Sequence, residues 1–149
     1  MKHKVLGVSS VGGHFQELTA ILSRMKLIDI EGSLILVNDP EYPKGSKFNV
    51  SSICKSGRDF RVIVHFLEAA YWIIRIKPRL LVSCGAGCAV PFFLVARLIG
   101  LSCVYVESIS RMKSMSKTGA LLYFLGVRIV VRWSGLKELY PKAELVESE

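Results

Sequence analysis

Residues 4–14 read Lys-Val-Leu-Gly-Val-Ser-Ser-Val-Gly-Gly-His. The short apolar run Lys4–Ser10 has the length of a buried strand, and Ser10-Val11-Gly12-Gly13 then turns the chain into a helical pattern that opens at His14. Leu18, Ile21, Leu22 and Met25 fall at i, i+3, i+4 and i+7, so they line one face of a helix running from His14 to about Lys26. The same alternation continues downstream. Ser33–Asn38, Arg79–Ser83, Ser102–Glu107 and Val127–Trp133 read as further strands, with helices expected over Asp59–Lys77, Cys88–Leu98 and Lys117–Leu125. Residues 39–57 carry Pro40, Pro43, Gly45 and several serines, the pattern of a long loop with a short edge strand near Phe48–Ile53. Five apolar strands separated by helices imply a doubly wound, mostly parallel, Rossmann-like α/β sheet of about five strands, covered on both faces. In such a sheet ligands bind at the carboxyl ends of the strands. Three loops occupy that edge: 10–14, 84–88 and 107–118.

At 149 residues the chain is expected to be one domain, 1–149, large enough for a proper core. Residues of hydrophobic type make up 51%, charged residues only 21%, and mean hydropathy is +0.41, which excludes a disordered chain. Charge runs the other way: 20 Lys and Arg face 12 Asp and Glu, a net +8. The whole surplus lies in residues 58–132, where eleven basic residues meet three acids. Greasy and basic together point to an anionic membrane surface as partner. Helix-turn-helix, zinc-finger and aromatic RNA-binding signatures are missing, so no nucleic acid is expected.

No stretch reaches the ~18 uninterrupted apolar residues of a spanning helix, and the N-terminus lacks the layout of a cleavable signal. The expected location is therefore the cytoplasmic face of the cell membrane, held peripherally. The helix 59–77 is apolar nearly all round. Trp72 and Tyr71 beside Arg58, Arg61, Arg75 and Lys77 are what an interfacial helix sets at lipid headgroups, although one face can equally pack on the sheet. The four cysteines, Cys54, Cys84, Cys88 and Cys103, read as small buried hydrophobes. Cys84 and Cys88 fit neither metal nor redox spacing, so neither a metal nor a cofactor is expected. His3 and His65 read as structural.

Chemistry concentrates in three motifs. Gly12 and Gly13 let backbone approach a ligand, and the free amides of the helix start favour negative charge; the plainer reading is a tight turn with His14 as a helix-start residue. Cys84-Gly85-Ala86-Gly87-Cys88 forms a second glycine-rich turn between strand and helix. Glu107-Ser108-Ile109-Ser110-Arg111, followed by Ser114-Met115-Ser116-Lys117-Thr118-Gly119, sets a carboxylate at a strand end before a loop of hydroxyls and cations. Such a loop suits a polyol whose phosphate needs neutralising, or is simply a solvated loop before a capped helix. His14 is the best-placed general base, since imidazole exchanges protons nearest neutral pH, with Glu107 as the alternative base or as an acceptor for sugar hydroxyls.

Taken in order, these motifs together with Tyr105-Val106-Glu107-Ser108, Leu121-Leu122-Tyr123, Trp133 and Tyr140-Pro141-Lys142-Ala143 resemble one family over Val5 to about Ala143. It is the family of the asparagine-linked-glycosylation-fourteen protein and its bacterial PssD-like relatives of capsule and exopolysaccharide synthesis. The resemblance implies the N-terminal half of a MurG-like glycosyltransferase of GT-B architecture, with the UDP-sugar held mainly by a separate donor-binding polypeptide. It further implies a polyprenyl-pyrophosphate-linked sugar acceptor presented at the membrane. On that reading His14 and Glu107 are the catalytic candidates. Ser10, Gly12, Gly13, Gly85, Gly87, Ser108, Arg111, Ser116 and Thr118 are the substrate-binding candidates, and Arg58, Arg61, Trp72 and Arg75 the membrane contacts. Eukaryotic members carry an N-terminal membrane helix that this sequence lacks, and Arg132 stands where relatives tend to have Gln. A non-catalytic scaffold that anchors a catalytic partner, and a stand-alone nucleotide-binding enzyme, are the competing readings.

Overall fold

The structure, a computed structural model, describes residues 2–38, 47–54 and 61–146. Seven parallel strands form one sheet: β1 (Val5–Ser9), β2 (Leu34–Val37), β3 (Asn49–Ser52), β4 (Leu80–Ser83), β5 (Ser102–Val106), β6 (Arg128–Val131) and β7 (Glu144–Leu145). Their order across the sheet is β3-β2-β1-β4-β5-β6-β7. The chain therefore leaves β1 in one direction and, after returning through β4, proceeds in the other. The crevice between the ends of β1 and β4 is the switch point of the fold.

Period-two alternation sorts the strand residues between two cores. Leu6, Val8, Leu34, Leu36, Leu81, Tyr105 and Ile129 share one buried cluster with α2 (Arg61–Ile76), α3 (Val90–Leu98), α4 (Lys117–Phe124) and α5 (Ser134–Leu139). Val5, Ile35, Val37, Val82 and Val106 meet Phe15, Leu18 and Leu22 of α1 (Gly13–Arg24) on the other face. One helix on one face and four on the other follow from right-handed crossovers that turn back at β4.

The sheet is wider than the sequence expectation of about five strands. The serine-bearing edge segment is β3, and the two residues of β7 add beside β6. Neither has an apolar run of its own. Asp59 and Phe60, expected to open the long helix, lie outside the described residues, as does Arg58. Within α2, His65, Ala69 and Ile73 are buried, whereas Ile63, Leu67, Tyr71 and Ile74 are exposed. Trp72, a membrane-contact candidate, is half-buried against the core, near Ala69 and Ile73 in helical phase. Cys84, Cys88 and Cys103 are buried, and burial pushes the Cys84 and Cys88 thiols up to about 12, so they are inert hydrophobes. Cys54 departs from that reading: it is exposed just past the edge strand, with its backbone N–H on the Glu68 carboxylate. No helix among the described residues is long and apolar enough to cross a membrane.

Candidate functional site

All three motif loops meet at the carboxyl edge, beside the β1/β4 crevice. Gly12, with φ +94°, is the residue that caps α1, and the first helical hydrogen bond runs from Gln16 N–H to its carbonyl. No side chain caps this helix, so His14 is not its cap. The first-turn amides stay available at the end of the helix that favours negative charge. A Cβ at Gly12, Gly13 or Gly87 would meet nothing within 4 Å, so all three glycines face open space.

Where the sequence only offered a glycine-rich turn, the fold uses Gly85 to seat His14. A Cβ on Gly85 would lie 2.7 Å from the imidazole Cε1 and 2.8 Å from Nδ1, and φ is +120° there. Both the space and the backbone conformation demand glycine. The next residue, Ala86, also has a positive φ, +97°, a region that L side chains rarely adopt. Thus the second turn is shaped, at some conformational cost, against the first. His14 makes no side-chain hydrogen bond among the described residues and is half-buried.

Glu107 is almost wholly buried, 2% exposed. Its Oε1 accepts the N–H of Ser108 at 3.2 Å, and its Oε2 accepts the N–H of Ser116 at 3.0 Å and the Ser116 hydroxyl at 3.1 Å. One carboxylate thereby closes the loop from the end of β5 to the start of α4. Ser116 then caps α4 by accepting the Gly119 N–H at 2.9 Å, and the Tyr105 hydroxyl lies 3.0 Å from the same Ser116 oxygen. Burial pushes the Tyr105 hydroxyl well above its ordinary pKa, so it remains a neutral hydrogen-bonding group.

Two grooves flank His14. One, of about 620 Å³, is bounded by the turn 85–87 and the loop 107–118, including Glu107, Ser108, Arg111, Ser116, Lys117 and Thr118. The other, of about 610 Å³, runs along α1 past Glu17 and Arg24 to Arg132. The fold therefore brings His14, Gly85, Gly87, Glu107, Ser108, Arg111, Ser116 and Thr118 to one cavity. Gly13 lines the other groove instead, and Ser10 and Gly12, on the same turn, line neither. Arg61 and Arg75 are exposed on α2, away from this cavity. The Ser116 hydroxyl is already committed to Glu107, Tyr105 and the helix cap, and the Ser108 hydroxyl lies 3.2 Å from that of Ser110.

Glu17, which the sequence reading passed over, joins Ile109, Arg132 and Trp133 at the site. The N–H of Ile109 donates to Glu17 Oε1 at 3.2 Å, and the Ile109 carbonyl accepts from the Trp133 indole at 2.9 Å. Arg132 pairs with the same Glu17 oxygen at 3.4 Å. Glu17 and Ile109 are 92 positions apart. No local pattern announces such a contact; only the acid's place one turn after His14, on the edge-facing part of α1, hints at it.

A seven-stranded parallel sheet with its motif loops at the switch point is a fold shared with one half of two larger solved structures. MurG from Acinetobacter baumannii superposes with a TM-score of 0.67 over 90% of this chain and 43% of that one, at 17% identity. The UDP-GlcNAc 2-epimerase of Methanocaldococcus jannaschii gives 0.67 over 93% and 42%, at 15% identity. Residues 49–148 match the family described as oligosaccharide biosynthesis protein Alg14 like, and the chain belongs to that family. The human UDP-N-acetylglucosamine transferase subunit ALG14 is 40% identical over 77 residues, which cover 48% of this chain and 36% of that protein. Its counterpart in Candida albicans is 25% identical over 89% of this chain and 72% of its own length. The matched stretch thus spans only about a third of the human relative.

Proposed function

We propose that this chain is the acceptor-side subunit of a two-polypeptide UDP-sugar glycosyltransferase working on the cytoplasmic face of the cell membrane. It binds a polyprenyl-pyrophosphate-linked sugar, recruits a donor-binding partner subunit, and serves cell-surface polysaccharide or lipid-linked oligosaccharide synthesis. The observation that carries this reading is the convergence of His14, the turn 85–87 and the loop 107–118 on one groove at the switch point, in a chain of the Alg14-like family. The relatives' name, a UDP-N-acetylglucosamine transferase subunit, supports both the donor class and the need for a further chain.

Transfer to a hydroxyl requires a base at the acceptor and stabilisation of the departing diphosphate. Both Glu107 oxygens already accept hydrogen bonds from Ser108 and Ser116, whereas the His14 imidazole has no hydrogen-bond partner among the described residues. This favours His14 as the group that takes the acceptor hydroxyl's proton as its oxygen attacks the anomeric carbon. Glu107 then acts by positioning. Arg111 and Lys117, on the groove wall, offer cations to the acceptor's pyrophosphate. UDP departs on the partner's side of the cleft.

The test is reconstitution. The purified chain with UDP-N-acetylglucosamine and a polyprenyl-pyrophosphate-linked acceptor is expected to give no product, and product is expected once the companion donor-binding chain is added. Robust transfer by the isolated chain would overturn the two-subunit reading.

Membrane docking rests on α2, whose exposed Ile63, Leu67, Tyr71 and Ile74 lie beside Arg61, Arg75 and Lys77. Arg75 also stands 5.7 Å over the rings of both Tyr71 and Trp72. Each basic residue near an anionic leaflet contributes about 1 kcal/mol, screened by salt. Replacing Arg61, Arg75 and Lys77 by Gln should therefore weaken binding to phosphatidylserine-containing vesicles roughly 100-fold. Rising salt should weaken the wild-type protein in the same direction. Co-sedimentation that responds to neither change would dismiss α2 as the docking helix.

A further inference from the structure

The loop 107–118 carries most of the polar groups that face the acceptor groove, and Glu107 fastens it only at Ser108 and at Ser116. Its outer limb, at Ile109, is fastened separately. The two peptides flanking Ile109 Cα are each held, the Ile109 N–H by Glu17 of α1 and the Ile109 carbonyl by the indole N–H of Trp133. Glu17 is 12% exposed, and its carboxylate is turned toward the loop by Arg132, the residue before that same indole. Two separate parts of the chain thus converge on the backbone of one residue.

Resting on the functional reading above, we infer that Glu17 is a positioning residue for acceptor binding. With Trp133 it forms a clamp that holds the limb 108–111 against α1, and so holds Ser108 and Arg111 beside His14. A charged acceptor makes the stronger kind of hydrogen bond, and this one spans the junction between the two flanking grooves, both of which include His14, Ser108 and Ser110. Without it the limb has only the indole at one side, and the groove loses its fixed wall. Chemistry at His14 is not altered; the seating of the acceptor is.

Two measurements on the full chain test the clamp. Hydrogen exchange at the Ile109 amide should quicken roughly 10- to 100-fold in Glu17→Ala, the loss expected for a bond to a charged group. Trp133→Phe, which keeps an aromatic ring but not the donor, should loosen the same limb. Glu17→Gln should quicken exchange less than Glu17→Ala, because its amide oxygen can still accept the Ile109 N–H but without the charge. In the reconstituted two-subunit enzyme, Glu17→Ala should raise the KM for the lipid-linked acceptor about tenfold, with the KM for the UDP-sugar unchanged. A purely structural defect would instead lower kcat through a smaller folded fraction and leave both KM values alone. Unchanged exchange at Ile109 in both Glu17→Ala and Trp133→Phe overturns the clamp. Quickened exchange with an unchanged acceptor KM overturns its role in binding. A wild-type pair that transfers no sugar overturns the functional reading itself, and the exchange data then decide the clamp alone.

Discussion

His14→Ala is expected to lower turnover of the reconstituted enzyme by 10²–10⁴-fold, the range typical of losing a general base. Partner assembly and thermal stability should barely change, since the half-buried imidazole, which packs on Gly85, makes no side-chain hydrogen bond among the described residues. The informative companion is His14→Asn. Asn suits a helix start as well as His does and offers a hydrogen-bonding side chain. It cannot take the proton from an acceptor hydroxyl. The helix cap is Gly12, and no side chain caps α1, so holding the turn is not a task that the structure gives His14. Both variants should therefore be inactive and well folded. An active His14→Asn enzyme would move the base to the partner subunit.

Glu107→Ala should act in the opposite manner, through the fold. It removes the acceptor for the Ser108 N–H, the Ser116 N–H and the Ser116 hydroxyl at once. Leaving such donors unpaired costs about 1–3 kcal/mol each where they are buried. A net loss of about 3 kcal/mol is expected, which for a chain of this size lowers Tm by roughly 6–12 °C. Gly119→Ala should reproduce much of this effect by colliding with the carboxylate rather than removing it. Its Cβ would overlap Glu107 Oε2 and lie 3.1 Å from both Ser116 Oγ and Tyr105 Cε1, inside a buried network. Calorimetry of the two variants checks the claim. A Glu107→Ala protein that melts like wild type yet transfers no sugar would return Glu107 to the reacting groups.

These two residues mark how far the sequence could be read. Strand, glycine turn and His14 were legible because their signal is local: an apolar run of strand length, glycines where backbone must turn, and a 3.6-residue period beyond them. The same locality made β2, β4, β5 and β6 readable within a residue or two at each end. It failed at β7, whose Glu144–Leu145 is extended because the edge of β6 offers unpaired backbone groups, not because of its own composition. It failed at α5 too, a six-residue helix that buries only Leu136. The phase of Trp72 was not legible, because aromatic and basic residues on one helix do not reveal how it is turned relative to a sheet. Cys54 was misread because burial beside a strand edge is a property of the neighbours, not of the cysteine.

What the sequence by itself determined was the fold class, the edge of the sheet on which the motif loops lie, and the residue types gathered there. Each depends on periodicity, glycine placement or strand order, and these are short-range properties of the chain. What only the tertiary structure decided was the division of labour. Glu107 faces inward and holds the loop because Ser116, nine positions away, returns to meet it. His14 is seated by Gly85, on another strand's loop, and Ile109 is gripped by Glu17 and Trp133 from two further segments. A hydrogen bond is directional and reaches only about 3 Å, so which polar group binds and which merely supports is settled by the packing of strands distant in the chain.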